Sequence, residues 1–292
     1  MVVNFILDII FVKYLSMGVE GAAVATLISY CVACVLNGIY VFRFNKNVKL
    51  KKDDFHPDKR TILYQIRLGI PVSLQFTVTS IGSMCLQSVV NSFGTNVIAG
   101  FTAAARVEGV TNIPMSGLGV ATQTFVGQNF GAKQYDRIKN GVKQIFILDL
   151  LVSVAMSIAL YLLAEPVITL FGDNMTGEIM VAAKRYILAI AQCYSLVAIL
   201  FVMRNTLQGM GFTYANSVAG VGEFFGRLAV AFILTPLLGF DAVCYAGPAA
   251  WLLADIPLII IYLNKQRKFG AVHRNAIKQI PEKLKVNFQK GE

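Results

Sequence analysis

The chain alternates between long apolar runs and short polar connections. Runs long enough to cross a bilayer, which takes about 20 residues as a helix, lie at 20–42, 69–92, 97–126, 145–170, 186–208, 214–238 and 242–263. A shorter apolar run covers residues 1–14. Hydrophobic residues make up 56% of the chain and charged residues 14%, which differs from the composition of soluble globular domains. The pattern predicts an all-α, polytopic membrane protein of the plasma membrane.

Basic residues concentrate in alternate connections. The segments 43–67, 133–143 and 265–292 hold 20 of the 26 Lys and Arg residues, whereas 15–19, 93–96, 164–177 and 236–241 hold none. The positive-inside rule therefore predicts that the basic connections and the C-terminus are cytoplasmic. Lys184 and Arg185 are exceptions near an outer helix end, where we expect them to snorkel. The net charge of +10 is accounted for by these connections, so no nucleic acid partner is expected. The expected partner of the chain is the lipid bilayer.

The chain also contains an internal repeat. A shift of 221 positions aligns Phe11 with Phe232, Gly18 with Gly239 and similar residues up to positions 46 and 267. Parallel repeats of this kind are typical of two-lobe transporters. We expect the end of an N-terminal lobe at 1–43 (about one and a half helices), a basic cytoplasmic linker at 44–67, a C-terminal six-helix lobe at 68–264 and a basic tail at 265–292.

If the two lobes are of equal length, about 160 residues of a first lobe would precede residue 1. The chain is therefore expected to be a fragment, with the missing N-terminal lobe as its partner.

The run at 97–126 contains two charges at hydrocarbon depth. Each such charge costs about 2.5–3.5 kcal/mol on insertion scales, and helical spacing places Arg106 about 160° from Glu108, so each needs another partner. Glu108 is either a titrating or cation-binding carboxylate or the structural partner of an Arg on another helix. Pro114, with Gly117 and Gly119 behind it, is expected to weaken the middle of this helix.

Two polar faces are candidates for a substrate cavity. On the helix at 68–92, six polar residues fall within one arc of about 120°. They either hydrogen-bond to a neighbouring helix or line a cavity, and the large side chains near the outer end favour a cavity. The next helix presents a second polar face with Glu108. The candidate cavity residues are Thr77, Ser80, Gln87, Asn91, Asn112 and Met115.

Further charges lie inside the later runs. Glu223 and Arg227 are four residues apart on one helix face, which favours an intrahelical pair, although a place in the substrate pathway is the alternative. Arg204 is near a cytoplasmic helix end and is expected to snorkel. Asp255 could pair with Arg106 or Arg227.

From these charges we take Glu108, Glu223 and Asp255 as candidates for cation or proton coupling. Arg106, Arg204 and Arg227 are the candidate structural charge partners. Asp149, near the start of its run, is expected at the membrane interface. Beside Glu223, the pair Gly222 and Gly226 predicts close helix packing.

Catalytic motifs are missing from the sequence. It contains no His-Glu-x-x-His, no Gly-x-Ser-x-Gly and no phosphate loop, so no enzyme, resident metal or cofactor is expected. The five cysteines all lie in apolar runs, where they behave as small hydrophobic residues.

Several motifs resemble the second lobe of the multidrug and toxic compound extrusion (MATE) family. They are Leu68-Gly-Ile-Pro71, Ala-Ala-Arg106-Val-Glu108, Pro114, Gly127-Gln-Asn-Phe-Gly131-Ala-Lys133 and Leu207-Gln-Gly-Met-Gly211. The resemblance covers essentially the whole chain. It implies an antiporter that exports bulky, often cationic organic compounds in exchange for Na⁺ or H⁺.

The chain departs from that family at two places. Thr79 and Val197 stand where some members carry coupling carboxylates. A lipid-linked saccharide flippase or exporter of the wider superfamily, whose cavities tend to be more basic, is the alternative. A membrane bundle with no transport activity is a third.

The predicted topology can be tested by thiol labelling. Single cysteines introduced at Asn96 and Asn174 of a cysteine-free protein should react with an impermeant reagent from outside, because these connections lack basic residues. Cysteines at Lys51 and Gln134 should be protected until the membrane is permeabilised. The reverse pattern would invert the orientation.

Overall fold

The computed structural model describes residues 2–44, 58–172 and 177–278. Residues 45–57 of the predicted linker, residues 279–292 of the predicted tail, and the labelling positions Lys51 and Asn174 lie outside this range. The chain divides into two units, Met1–Leu63 and Tyr64–Glu292, and each is described by itself.

The first unit contains a helical hairpin. Helix α1 (Val2–Asp8) continues through a π-helical segment, Ile9–Tyr14, to a turn before helix α2 (Gly18–Ile39). The turn needs left-handed backbone, with φ of 52° at Ser16 and 57° at Gly18. Gly21 then lets the two helical segments approach, since a Cβ there would lie 3.0 Å from the Cβ of Phe11 in the π-helical segment.

Asp58 caps the next helix, α3 (Lys59–Val90). Its carboxylate accepts hydrogen bonds from the Thr61 hydroxyl at 2.7 Å and from the Arg60 and Thr61 backbone N–H groups at 3.2 and 3.1 Å. These bonds, above all the one from the Thr61 side chain, lower the pKa of Asp58 because they stabilise its charged form.

The second unit is a bundle of helices that follow the rest of α3. They are α4 (Thr95–Thr111), α5 (Ile113–Gly131), α6 (Tyr135–Thr169), α7 (Glu178–Gln192), α8 (Tyr194–Gly209), α9 (Tyr214–Ala229), α10 (Thr235–Leu238), α11 (Phe240–Cys244) and α12 (Ala246–Lys278). The closest pairs are α9 with α12, α5 with α8 and α4 with α7, and α6 packs on both α7 and α8.

Length and hydropathy identify the spans. Five described helices are long and apolar enough to cross a membrane, and the bent pair α7 and α8 brings the number to six. The described segments form helices and turns without strands. The prediction of an all-α, polytopic membrane bundle is therefore confirmed, while the assignment of lobes stays a prediction.

Two predicted spans are broken. The run at 97–126 is split between Thr111 and Ile113, as Pro114 led us to expect, and the proline sits in the first turn of α5 where its missing N–H costs no helical hydrogen bond. The run at 186–208 breaks at Cys193, which has φ of −111° and ψ of 10°, and α7 and α8 meet there at 55°. The sequence of this run contains no proline or glycine that would predict the second break.

The glycines of α9 permit close contact with α12. A Cβ on Gly222 would lie 2.6 Å from the Leu253 carbonyl oxygen, and one on Gly226 would lie 2.7 Å from the Ala250 Cα. Backbone therefore meets backbone at this interface. The close packing predicted for the two glycines is confirmed.

Lys184 and Arg185 have ion-pair partners. The Lys184 Nζ lies 2.6 Å from a Glu165 carboxylate oxygen, and the Arg185 Nη1 lies 3.3 Å from Asp241. The snorkelling expected for these two residues is replaced by ion pairs that join α7 to α6 and α11.

Substituting Gly226 should destabilise the bundle. Gly226→Ala places a methyl group against the α12 backbone, which cannot move aside as a flexible side chain would, and we expect a loss of about 1–3 kcal/mol. Gly117→Ala is the matched control, since a Cβ there meets nothing within 4 Å. Thermal unfolding in detergent measures both, and equal midpoints would contradict the packing argument.

Candidate functional site

Glu223 lies at the centre of a charged network inside the second unit. The Arg204 Nη2 on α8 donates to Glu223 Oε1, and the Arg227 Nη1 on α9 donates to Glu223 Oε2 at 3.3 Å. The Glu223 side chain is 4% exposed and each arginine side chain 13%. The predicted pair of Glu223 with Arg227 is confirmed, and Arg204, which was expected to snorkel, binds Glu223 instead.

Local sequence explains this geometry. On α9, Glu223 falls on the same buried face as Ala219, Gly220 and Gly226. The turn between α8 and α9 reverses the chain at Gly211, whose φ of 81° suits glycine. The chain turns there from α8 into α9, and Arg204 on α8 reaches Glu223 on α9.

Asp255 adds a second carboxylate beside Arg204. It lies on α12, is 2% exposed, and interacts electrostatically with Arg204 and Glu223. Both of its carboxylate oxygens are buried without a hydrogen bond, and so is the Arg204 Nε. Among the described residues, Asp255 forms an ion pair with neither Arg106 nor Arg227, the partners considered from the sequence. Arg204 therefore faces two carboxylates and hydrogen-bonds to one.

Glu108 joins the network from α4. Its Oε2 accepts a hydrogen bond of 2.7 Å from the Tyr186 hydroxyl on α7, and both side chains interact electrostatically with Arg227. Tyr186 is buried and packs edge-on against Phe101 at 4.8 Å. One turn along α4, Thr111 shares a short hydrogen bond with Tyr194. Glu108 is thus held from α7 and faces the charge of α9.

The network has an unbalanced charge. Its three carboxylates, from Glu108, Glu223 and Asp255, and two guanidinium groups, from Arg204 and Arg227, sum to −1 when all are ionised. Uncompensated charge in a low-dielectric interior is costly. The arrangement is therefore suited to bind one further positive charge, such as a proton or a monovalent cation.

The polar stripe of α3 faces away from the bundle. Thr77, Ser80 and Asn91 are exposed, and Gln87 is half-buried. The Thr77 hydroxyl donates to its own helix, at Ser73 O, and the Gln87 Nε2 donates to Asn91 Oδ1 at 3.0 Å. Among the described residues, these side chains make no interhelical hydrogen bond, which was the alternative to a cavity wall.

The remaining predicted residues lie in different environments. Met115 is completely buried in the hydrophobic core, so its side chain is not accessible to a substrate in this conformation. Asn112 lies at the break between α4 and α5, half-buried, with an unbonded Oδ1. Arg106 is exposed and has no ion pair within the described part of the chain.

Two features of the site were not predicted from the sequence. Tyr186, which positions Glu108, carries no signal in the sequence, because the contact joins residues 78 positions apart. Asp149, expected at the interface, is completely buried on α6 with both carboxylate oxygens unbonded. Its spacing from Val142 and Ser153 places it on the buried face of α6, a signal that was available.

Comparison with known proteins places these features in context. The sequence model of the MatE family matches residues 71–233. The chain is 25% identical over 257 residues to the probable multidrug resistance protein YoeA of Bacillus subtilis (strain 168), covering 84% of this chain and 53% of YoeA. It is 26% identical over 273 residues to the probable multidrug resistance protein NorM of Thermotoga maritima, covering 90% and 57%. The chain thus spans about half the length of these curated relatives.

Solved structures share the fold. An outward-facing multidrug resistance MATE family transporter of the MOP superfamily matches with a TM-score of 0.80 and 23% identity, covering 93% of this chain and 61% of that one. A MOP superfamily transporter from Pyrococcus furiosus, described as having a binding pocket of reverse polarity, matches with a TM-score of 0.79 and 22% identity, covering 93% and 61%.

Removing the central carboxylate should destabilise the protein strongly. Glu223→Gln removes the one carboxylate that accepts hydrogen bonds from both Arg204 and Arg227 among the described residues, and breaking a buried pair in this way costs about 3–5 kcal/mol. Glu165→Gln removes the carboxylate of the exposed pair with Lys184 and should change the thermal midpoint little. Similar midpoints for the two variants would show that the Glu223 pair is not structural.

Proposed function

The chain belongs to the MatE family, and from this premise we propose that the full-length protein is a secondary active transporter. It exports bulky organic or cationic compounds in exchange for Na⁺ or H⁺. Support comes from the names of the relatives, which describe multidrug resistance proteins, and from the buried network of this chain.

The observation that carries the proposal is the excess of one carboxylate over the guanidinium groups in the network, which gives a charge of −1 when all five groups are ionised. One proton or one Na⁺ neutralises it, so cation binding and release change the electrostatic energy of several helices at once. Without the cation, Asp255 competes with Glu223 for Arg204. With a proton on Asp255, Arg204 stays with Glu223, whose hydrogen bond is already formed.

This competition gives Arg204 two alternative arrangements, one bound to Glu223 and one bound to Asp255. Arg204 is on α8, Glu223 on α9 and Asp255 on α12, so an exchange of partners changes the forces between three helices. A ligand shifts a conformational equilibrium only through its different affinity for the two states. The coupling ion would act in this way by favouring one arrangement of Arg204.

Glu108 extends the charged network to α4 and α7. Its charge interacts with that of Arg227, and Tyr186 holds it in place. A cation bound at Glu108 would weaken the attraction between Glu108 and Arg227. Because Arg227 also donates to Glu223, the effect of the cation would extend to Glu223. The proposal therefore treats Glu108 and Asp255 as the two ends of one coupling site.

The exposed stripe of α3 is the proposed substrate surface. Thr77, Ser80, Gln87 and Asn91 present hydroxyl and amide groups among apolar neighbours such as Phe76 and Met84, which are 65% and 70% exposed. Binding sites for organic molecules combine such apolar area with a few polar groups.

The alternatives receive less support from the described residues. A saccharide-lipid flippase is expected to have a basic substrate cavity, whereas the charged groups buried at the centre of this bundle include more carboxylates than guanidinium groups. A bundle without transport activity gives no reason for three carboxylates to gather around two arginines, since burying charged groups costs free energy.

Neutralising the two ends of the site should uncouple transport without unfolding the protein. In Glu108→Gln, the new amide oxygen still accepts the Tyr186 hydrogen bond, and in Asp255→Asn no hydrogen bond is lost. In the full-length protein we expect normal thermal midpoints and a loss of ion-driven dye export of tenfold or more, which corresponds to about 1.4 kcal/mol of coupling.

Asp149→Asn is the matched control. It neutralises another buried, unbonded carboxylate, but one that lies outside the network, and export should be retained. Proteoliposomes with an imposed pH gradient or Na⁺ gradient identify the ion. Normal export by stable Glu108→Gln and Asp255→Asn variants would remove the network from the mechanism.

A further inference from the structure

A cavity of about 410 Å³ lies between α6, α8 and α12. Its charged and polar lining includes Lys139, Asn140 and Lys143 from α6 and Gln266 from α12. The predicted topology puts this end of the bundle at the cytoplasmic side, in the connection at 133–143 and at the end of the last span. The cavity is separate from the charged network, none of whose five members lines it.

Among the described residues, the positive charge that lines the cavity has no counterion. Lys139 and Lys143 are four residues apart on α6 and therefore project from the same face. Neither lysine forms an ion pair within the described part of the chain, and no carboxylate lines the cavity. By contrast, the neighbouring Lys265 lies 4.0 Å from the centre of the Phe212 ring. An anion is the ligand that this lining favours.

The inner wall of the cavity is apolar. Phe146 and Met203 are half-buried there, and Val142 is 2% exposed. Further along the same face of α6, Ile147 and Val154 are exposed by 48% and 47%, as expected for side chains that face lipid. A ligand seated on the two lysines would therefore continue along an apolar surface.

We propose that this cavity binds the phosphate head group of an anionic membrane lipid from the cytoplasmic leaflet. Lys139 and Lys143 contact the phosphate oxygens, the amides of Asn140 and Gln266 donate further hydrogen bonds, and an acyl chain lies along α6. Basic pockets between membrane helices on the cytoplasmic side are suited to such head groups. The apolar continuation along α6 favours a lipid over a soluble phosphate.

The position of the cavity gives the lipid a structural role. Its head group would contact both α6 and α12, two helices that have few contacts with each other. Asp136, the acidic residue of α6 nearest to the two lysines in sequence, is not part of the lining. A bound lipid would offset part of the charge of the two lysines and hold the ends of these helices together. We therefore expect binding to raise the stability of the folded protein.

The test uses full-length protein purified in a neutral detergent. Thermal midpoints and native mass spectrometry are recorded with phosphatidylglycerol, with phosphatidylcholine and with inorganic phosphate. We expect phosphatidylglycerol to bind and raise the midpoint, and the other two to have little effect. Equal stabilisation by inorganic phosphate would overturn the assignment to a lipid, and equal stabilisation by phosphatidylcholine would overturn the role of charge.

Variants locate the binding site. Each lysine near an anionic lipid contributes roughly a fivefold gain in affinity, so Lys139→Gln with Lys143→Gln should weaken phosphatidylglycerol binding about 25-fold. Lys139→Arg with Lys143→Arg keeps the charge and should retain binding, which also controls for folding.

Arg137→Gln is the matched control on the same helix. It removes one positive charge from a residue that does not line the cavity, and lipid affinity should be unchanged. If Arg137→Gln weakens binding as much as Lys139→Gln does, the lipid responds to the general surface charge and the proposed site is wrong. Because the readouts are lipid affinity and stability, the result does not depend on transport.

Discussion

The buried carboxylate of Glu223 is the constraint on which the second unit depends. Arg204 and Arg227 both donate to it, so one anion is held by α8 and by its own helix, α9. A pair buried this deeply loses much of its hydration, and the Coulomb attraction offsets that loss only where the geometry is well kept. The helices around Glu223 are therefore fixed in register more tightly than apolar packing alone would fix them.

Helix packing places the other members of the network around this pair. The close approach of α9 and α12 at Gly222 and Gly226 leaves no room for side chains between the two backbones. Asp255, which directly follows Leu253 and Ala254 in that contact, is consequently brought to the side of Arg204. A small change at a glycine would thus act on an electrostatic balance as well as on packing.

The sequence was sufficient for features that depend on local periodicity. It predicted most of the spans, the break near Pro114, the pair of Glu223 with Arg227 and the contact at the two glycines. It could not reveal the partner of Arg204 or the bond from Tyr186 to Glu108, because these depend on which helices become neighbours. The bend at Cys193 was missed for a similar reason. No proline marks it in the sequence, and it depends instead on packing against other helices and on the hydrogen bond from the Ser157 hydroxyl to Ala191 O on α7.

That bend divides one span into two rigid arms, α7 and α8, which pack most closely against different helices and are joined at Cys193. The α7 arm is clamped to α4 and carries Tyr186, whereas the α8 arm is clamped to α5 and carries Arg204. Rotation at Cys193 would therefore change the distance between the two ends of the charged network without unwinding either arm. A movement of the two arms and a change in the electrostatic energy of the network are therefore coupled, and each would bring about the other.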